Sequence, residues 1–129
     1  MTEEKEIFKL GFGLMRLPRL ADGETIDVEQ TARMADAFLA AGGTYFDTAY
    51  AYPGSEEAIR KALVERVPRD KYTLASKLMA FGPDMTEEKA KQEIHTTLER
   101  TGAGYIDYYL LHALQRAKID NYENWGLWD

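Results

Sequence analysis

The sequence predicts an α/β fold of parallel strands joined by helices, and three observations carry that expectation. Short apolar runs with strand character alternate with amphipathic helical stretches. The runs close at Leu14, Asp47, Lys77 and His112, at intervals of 33, 30 and 35 residues, which is the length of a βα unit in a parallel sheet. Three of those four ends are polar, so titratable groups collect on the strand-end edge where α/β proteins bind ligands. Two architectures fit. An open, doubly wound sheet can be completed by 129 residues. A (β/α)₈ barrel needs about 250, of which this chain would hold four strands. Burial of surface favours the first, and the shared edge of polar residues favours the second.

The first strand runs from Phe8 to Leu14, punctuated by Gly11 and Gly13, and Leu17-Pro18 closes its turn. Asp22-Gly23 marks a loop. Asp27-Val28-Glu29-Gln30 has the form of a capping box, in which Asp27 accepts from the Gln30 amide and Gln30 reaches back. Val28, Ala32, Ala35, Phe38 and Leu39 follow at helical spacing until Gly42-Gly43. Thr44 to Phe46 is a second strand with Asp47 at its end. Ser55 is placed as the next N-cap, ahead of Glu56 and Glu57. Ala58, Ile59, Ala62 and Leu63 form the buried stripe of that helix, and Val67-Pro68 ends it. Tyr72 to Ser76 is a third strand closed by Lys77. Thr86 caps a third helix that Gly102 stops, with Ala90, Ile94, Thr97 and Leu98 inward. Tyr105 to Leu111 is a fourth strand ending at His112, and Ile119 to Trp125 is a short helix.

Composition narrows the function. A net charge of −6 disfavours nucleic acid and anionic lipid as partners. The absence of cysteine removes disulfides, thiolate metal sites and iron–sulfur ligation within these residues. His95 and His112 are too far apart for a short metal motif, so no metal is expected. No apolar run approaches the ~20 residues of a membrane helix, and Met1 to Glu6 lacks the layout of a signal peptide. The expected location is the cytoplasm. The Gly11-Phe12-Gly13 run lacks the third glycine and the immediate helix of a dinucleotide fingerprint and reads as strand-turn geometry. Tyr50, Tyr105, Tyr108 and Tyr109 read as strand and core packing. Trp125 and Trp128 belong either to a pocket of a complete barrel or to a loose chain end.

Taken singly, a strand-end aspartate is usually a cap, a strand-end lysine a solvated charge, a lone histidine a surface or core residue, and a loop tyrosine packing. Together, Asp47, Tyr52, Lys77 and His112 can do specific chemistry. A carbonyl that accepts hydride develops negative charge on oxygen and needs a proton there. Tyr52 is a phenol, a class of acid with an ordinary pKa of about 10, so it needs a neighbour that favours its anion. The Lys77 ammonium is such a neighbour. Asp47 would keep that ammonium charged and in place. His112, as a neutral donor, would orient the carbonyl oxygen.

These residues resemble a known family. Gly11-Phe12-Gly13-Leu14-Met15-Arg16-Leu17-Pro18 resembles the first strand of aldo-keto reductases. Phe46-Asp47-Thr48-Ala49-Tyr50-Ala51-Tyr52, followed by Gly54-Ser55-Glu56, resembles their most recognisable motif. Ala75-Ser76-Lys77 and Tyr108-Tyr109-Leu110-Leu111-His112 look like their third and fourth strand ends. The resemblance implies an α/β fold built as a parallel (β/α) half-barrel, the first four βα units of a TIM (β/α)₈ barrel, with residues 1–129 forming one truncated domain. It implies an oxidoreductase that reduces aldehydes or ketones with NADP(H) or NAD(H). Its catalytic residues would be Asp47, Tyr52, Lys77 and His112, and its cofactor-binding residues Gly13, Leu14, Met15 and Asp47. The partner would be a small-molecule carbonyl substrate. Strands five to eight, which finish the family's cofactor pocket, are not in this sequence, so the chain by itself is expected to have little activity. The alternative is a self-associating, non-catalytic half-barrel module. Open strand edges and an unfilled interior face lead us to expect a homodimer or larger oligomer.

Overall fold

The computed structural model describes residues 8–129; the expectations for Met1 to Glu6 lie outside them. Four parallel strands form one sheet: β1 (Phe12–Gly13), β2 (Tyr45–Asp47), β3 (Thr73–Leu78) and β4 (Tyr108–Leu111), in that spatial order. The helices are α1 (Val28–Ala40), α2 (Ser55–Ile59), α3 (Glu87–Thr101) and α4 (Asp120–Asn124), and α2 runs on into a π-helical turn, Arg60–Val64. Each strand pairs with the one before it, and every pairing is parallel. A doubly wound sheet reverses its strand order at a switch point. This sheet never reverses, so it is wound in one direction, as in a β/α barrel, and covers half of one. The open-sheet alternative is thereby set aside.

Alternation along the strands divides the side chains between two faces. Phe46, Leu74, Ser76 and Leu78 face the helices and are buried. Phe46 is fully buried among Phe12, Phe38 and Tyr72, with ring centroids 5.5, 5.3 and 6.1 Å away. Close approach of α1 to this stack requires Gly43, because a Cβ there would overlap the Phe38 ring. Gly42 takes the left-handed turn that ends the helix, with φ of 98°.

Several local expectations are corrected. Asp27 does accept from the Gln30 amide at 2.9 Å, but Gln30 does not reach back; its side-chain oxygen accepts from Arg33 Nη2 at 2.6 Å. Ser55 is not a cap. Gly54 holds the cap position with φ of 73°, and the Ser55 hydroxyl instead donates to the Leu14 carbonyl at 2.9 Å and lies 2.7 Å from the Thr48 hydroxyl. A buried serine with two fixed partners serves better there than at an exposed helix end. The first strand shrinks to Phe12–Gly13 because β2 offers only three residues to pair with. β4 starts at Tyr108 rather than Tyr105, because Asp107 turns its carboxylate onto the Leu74 amide (2.8 Å) and Arg69 stacks on the Tyr105 ring (3.9 Å). Tyr105, Tyr108 and Tyr109 are exposed and are not core residues. They sit on or before the edge strand, which has a neighbouring strand on one side only among the described residues.

Candidate active site

The inward face of the sheet is where polar side chains meet. Asp47 ends β2, and Lys77 lies within β3, one residue from its end. The Lys77 ammonium donates to both Asp47 carboxylate oxygens at 2.9 Å and to the Thr48 carbonyl at 2.8 Å. All three of its protons are thus directed, and the side chain is only 14% exposed. The same nitrogen lies 4.9 Å from the centre of the Tyr52 ring, within the range of a cation–π contact.

Tyr52 is held by its backbone. Its amide donates to the Ala49 carbonyl and its own carbonyl accepts from the Ser55 amide, each at 3.1 Å. These successive turns bring the loop back over β2. The Tyr52 and His112 rings meet edge to face at 5.7 Å. His112 follows β4 directly, and its amide donates to the Leu78 carbonyl at 2.9 Å. Burial, and next the Lys77 charge, hold the His112 imidazole below its ordinary pKa, so the ring is neutral near pH 7. Its Nδ1 is buried without a hydrogen-bond partner among the described residues. The structure therefore brings Asp47, Tyr52, Lys77 and His112 to one rim.

Other residues that the sequence did not single out complete the rim. Thr48 supplies the third acceptor for Lys77. Tyr122 of α4 is fully buried, and its hydroxyl lies 2.7 Å from the His112 carbonyl and 3.1 Å from the Leu78 carbonyl. Phe81 stands edge-on to His112 at 6.1 Å. The position of Thr48 beside Asp47 was a visible clue. Nothing in the short helix of Tyr122 pointed to His112.

The residues expected near a nicotinamide are placed differently from one another. Gly13 is exposed with nothing within 4 Å of where a Cβ would stand, and Met15 is 55% exposed. Leu14 is buried; its amide donates to the Asp47 carbonyl and its carbonyl accepts from Ser55. Gly13 and Met15 are thus open to solvent beside Asp47, while the Leu14 side chain packs into the core with Leu17, Ala35 and Phe46. Among the described residues, no group of three or more His, Asp or Glu lies together to hold a metal ion. No helix among them is long and apolar enough to cross a membrane.

Two more carboxylates sit behind the sheet. Glu56 is fully buried and Glu93 is 2% exposed. Burial, resisted by a hydrogen bond from the Met79 amide and aided by Glu56, pushes the Glu93 carboxyl up to about 7. Its folded-state pKa thus lies above the unfolded value of about 4.5. Below that lower value both states are protonated and no penalty arises. Between the two, the unfolded chain releases the proton while the folded chain retains it, so stability falls as pH rises. We expect this to cost ~3 kcal/mol by about pH 8. Glu93→Gln should remove that decline, as read from urea unfolding at about pH 5 and pH 8. An undiminished decline in the variant would refute the assignment.

A half-barrel of sequentially ordered parallel strands, with a lysine–carboxylate pair, a tyrosine and a histidine on its strand-end rim, defines a class of β/α-barrel proteins. Its members can be recognised by comparison. The Aldo/keto reductase family model matches residues 9–123, and the chain belongs to that family. An aldo-keto reductase of Mycolicibacterium smegmatis is 34% identical over 105 residues, covering 81% of this chain and 36% of that protein. The aldo-keto reductase str7 of Strobilurus tenacellus is 32% identical over 112 residues, covering 82% of this chain and 33% of that protein. Among solved structures, aldo-keto reductase AKR11C1 from Bacillus halodurans, in its holo form, superposes with a TM-score of 0.67 at 30% identity, covering 90% of this chain and 40% of its own. An aldo/keto reductase from Klebsiella pneumoniae in complex with NADP and acetate superposes with a TM-score of 0.58 at 28% identity, covering 78% of this chain and 34% of its own. The chain thus spans between a third and two fifths of these relatives.

Proposed function

We propose that residues 1–129 form a half-barrel domain of a cytoplasmic oxidoreductase that reduces aldehydes or ketones with a nicotinamide cofactor, and that Asp47, Tyr52, Lys77 and His112 are its catalytic residues. The observation that carries this reading is the Lys77 ammonium, bound to both Asp47 oxygens and facing the Tyr52 ring. A bound NADP(H) or NAD(H) would supply the hydride, with Gly13, Met15 and Asp47 beside it and the Leu14 backbone holding the turn against Asp47 and Ser55. The NADP of the Klebsiella pneumoniae relative favours the phosphorylated form.

In this reading Tyr52 donates a proton to the carbonyl oxygen as charge develops there. Lys77 stabilises the phenolate left behind, because a fixed cation in a partly dry site is already oriented when the charge appears. Asp47 and the Thr48 carbonyl keep the ammonium from swinging away. His112, neutral near pH 7, hydrogen-bonds the substrate oxygen and aims it at Tyr52. A neutral donor there leaves the proton transfer to the phenol. The test is oxidation of NADPH with a reactive aldehyde by the unmodified chain and by Lys77→Met. A slow but measurable rate is expected, and Lys77→Met should lose it. Equal rates would overturn the assignment of catalysis to this rim.

A second reading, self-association, has its own observation. Tyr108 and Leu110 on β4 are 57% and 40% exposed, and among the described residues β4 is an unpaired edge. A second copy that pairs with this edge would cover them. Sedimentation of a dimer or larger species is expected, and a monomer at every concentration tested would eliminate this reading.

A further inference from the structure

The rim residues do not by themselves explain how Lys77 is held in register, because β3 is gripped from the opposite side as well. Ser76, immediately before Lys77, donates its hydroxyl to Glu56 Oε2 at 3.0 Å. Met79, two residues after Lys77, donates its amide to Glu93 Oε1 at 2.8 Å. Glu56 comes from α2 and Glu93 from α3, and both are buried. A buried carboxylate is costly unless its bonds compensate. Arg100 partly offsets the cost at Glu56, at 3.2 Å, while Glu93 Oε2 has no partner among the described residues. Apolar residues would pack this interface at lower cost.

Resting on the reading of Lys77 given above, we propose that Glu56 and Glu93 are positioning residues for Lys77. Each fixes one of the two points that bracket it, Ser76 within β3 and Met79 just past its end. The physical reason is leverage. Lys77 projects to the inner face, and Ser76 is bound on the outer one, so any slide or roll of β3 carries the ammonium away from its three acceptors. Anchors before and after Lys77 block both motions. A displacement of about 1 Å at such a site can cost a large part of the rate. The two carboxylates therefore act through the strand and never touch substrate.

Nuclear magnetic resonance of the full chain, with nitrogen-labelled lysine, reads this directly. The Lys77 ammonium, with three protein acceptors, should give a slowly exchanging signal, assigned by its loss in Lys77→Arg. Ser76→Ala removes only the Glu56 anchor, and Glu93→Leu removes the other. Both should shift the Lys77 signal and speed its exchange. Glu93→Gln keeps an acceptor for the Met79 amide and should restore the signal, which a merely space-filling role for Glu93 would not require. A Lys77 signal unchanged in Ser76→Ala and in Glu93→Leu would overturn the proposal. Should Glu93→Leu fail to fold, Ser76→Ala decides alone. The signal reports the Lys77–Asp47 pair rather than turnover, so a chain that reduces nothing but shows these shifts would refute the catalytic reading and leave the positioning intact.

Discussion

Tyr52→Phe is expected to lower carbonyl reduction by ~10²–10⁴-fold, the usual contribution of a positioned general acid, while leaving the fold unchanged. The substitution removes one oxygen and keeps the ring. The ring is what Lys77 faces at 4.9 Å and what His112 meets at 5.7 Å, so packing and the Lys77–Asp47 pair should persist. No side-chain hydrogen bond from the Tyr52 hydroxyl to another described residue supports the fold. The loss should therefore appear in kcat, with circular dichroism and urea midpoint like those of the unmodified chain. Turnover equal to that of the unmodified chain would show that another group delivers the proton.

Phe46→Ala should cost ~3–5 kcal/mol, as is typical when a fully buried aromatic is truncated. Phe46 contributes the central ring of a stack that joins β1, α1 and the start of β3. It also precedes Asp47 in a strand of three residues, so the cavity would open beside the carboxylate that holds Lys77. Urea unfolding should show the loss at every pH, unlike the Glu93 effect. A cost below ~1 kcal/mol would mean that the neighbouring rings collapse into the space, and that the stack is far more adaptable than its burial indicates.

These expectations differ in how much of them the sequence discloses. Asp47, Lys77 and His112 were visible because each stands at the end of an apolar run, and with Leu14 their regular intervals gave the βα repeat; Tyr52 was visible in the loop that follows the second run. Asp27, Thr86 and Gly102 were visible as helix ends because their chemistry is local. The role of Ser55 was not visible. A serine before two glutamates looks like a cap, and only the approach of Leu14 and Thr48 gives its hydroxyl better partners. The exposure of Tyr108 and Tyr109 was hidden as well, since an aromatic strand at an edge and one in a core have the same pattern.

The sequence by itself determined the alternation of strands and helices, the ends of α1 and α3, and the set of titratable groups available to the rim. Those follow from periodicity and from hydrogen bonds that span a few residues. Tertiary structure alone decided the winding of the sheet, the three acceptors of Lys77, the burial of Leu14, and the two carboxylates behind β3. Each depends on groups separated by 14 to 41 residues, whose meeting is set by packing and leaves no mark in local spacing.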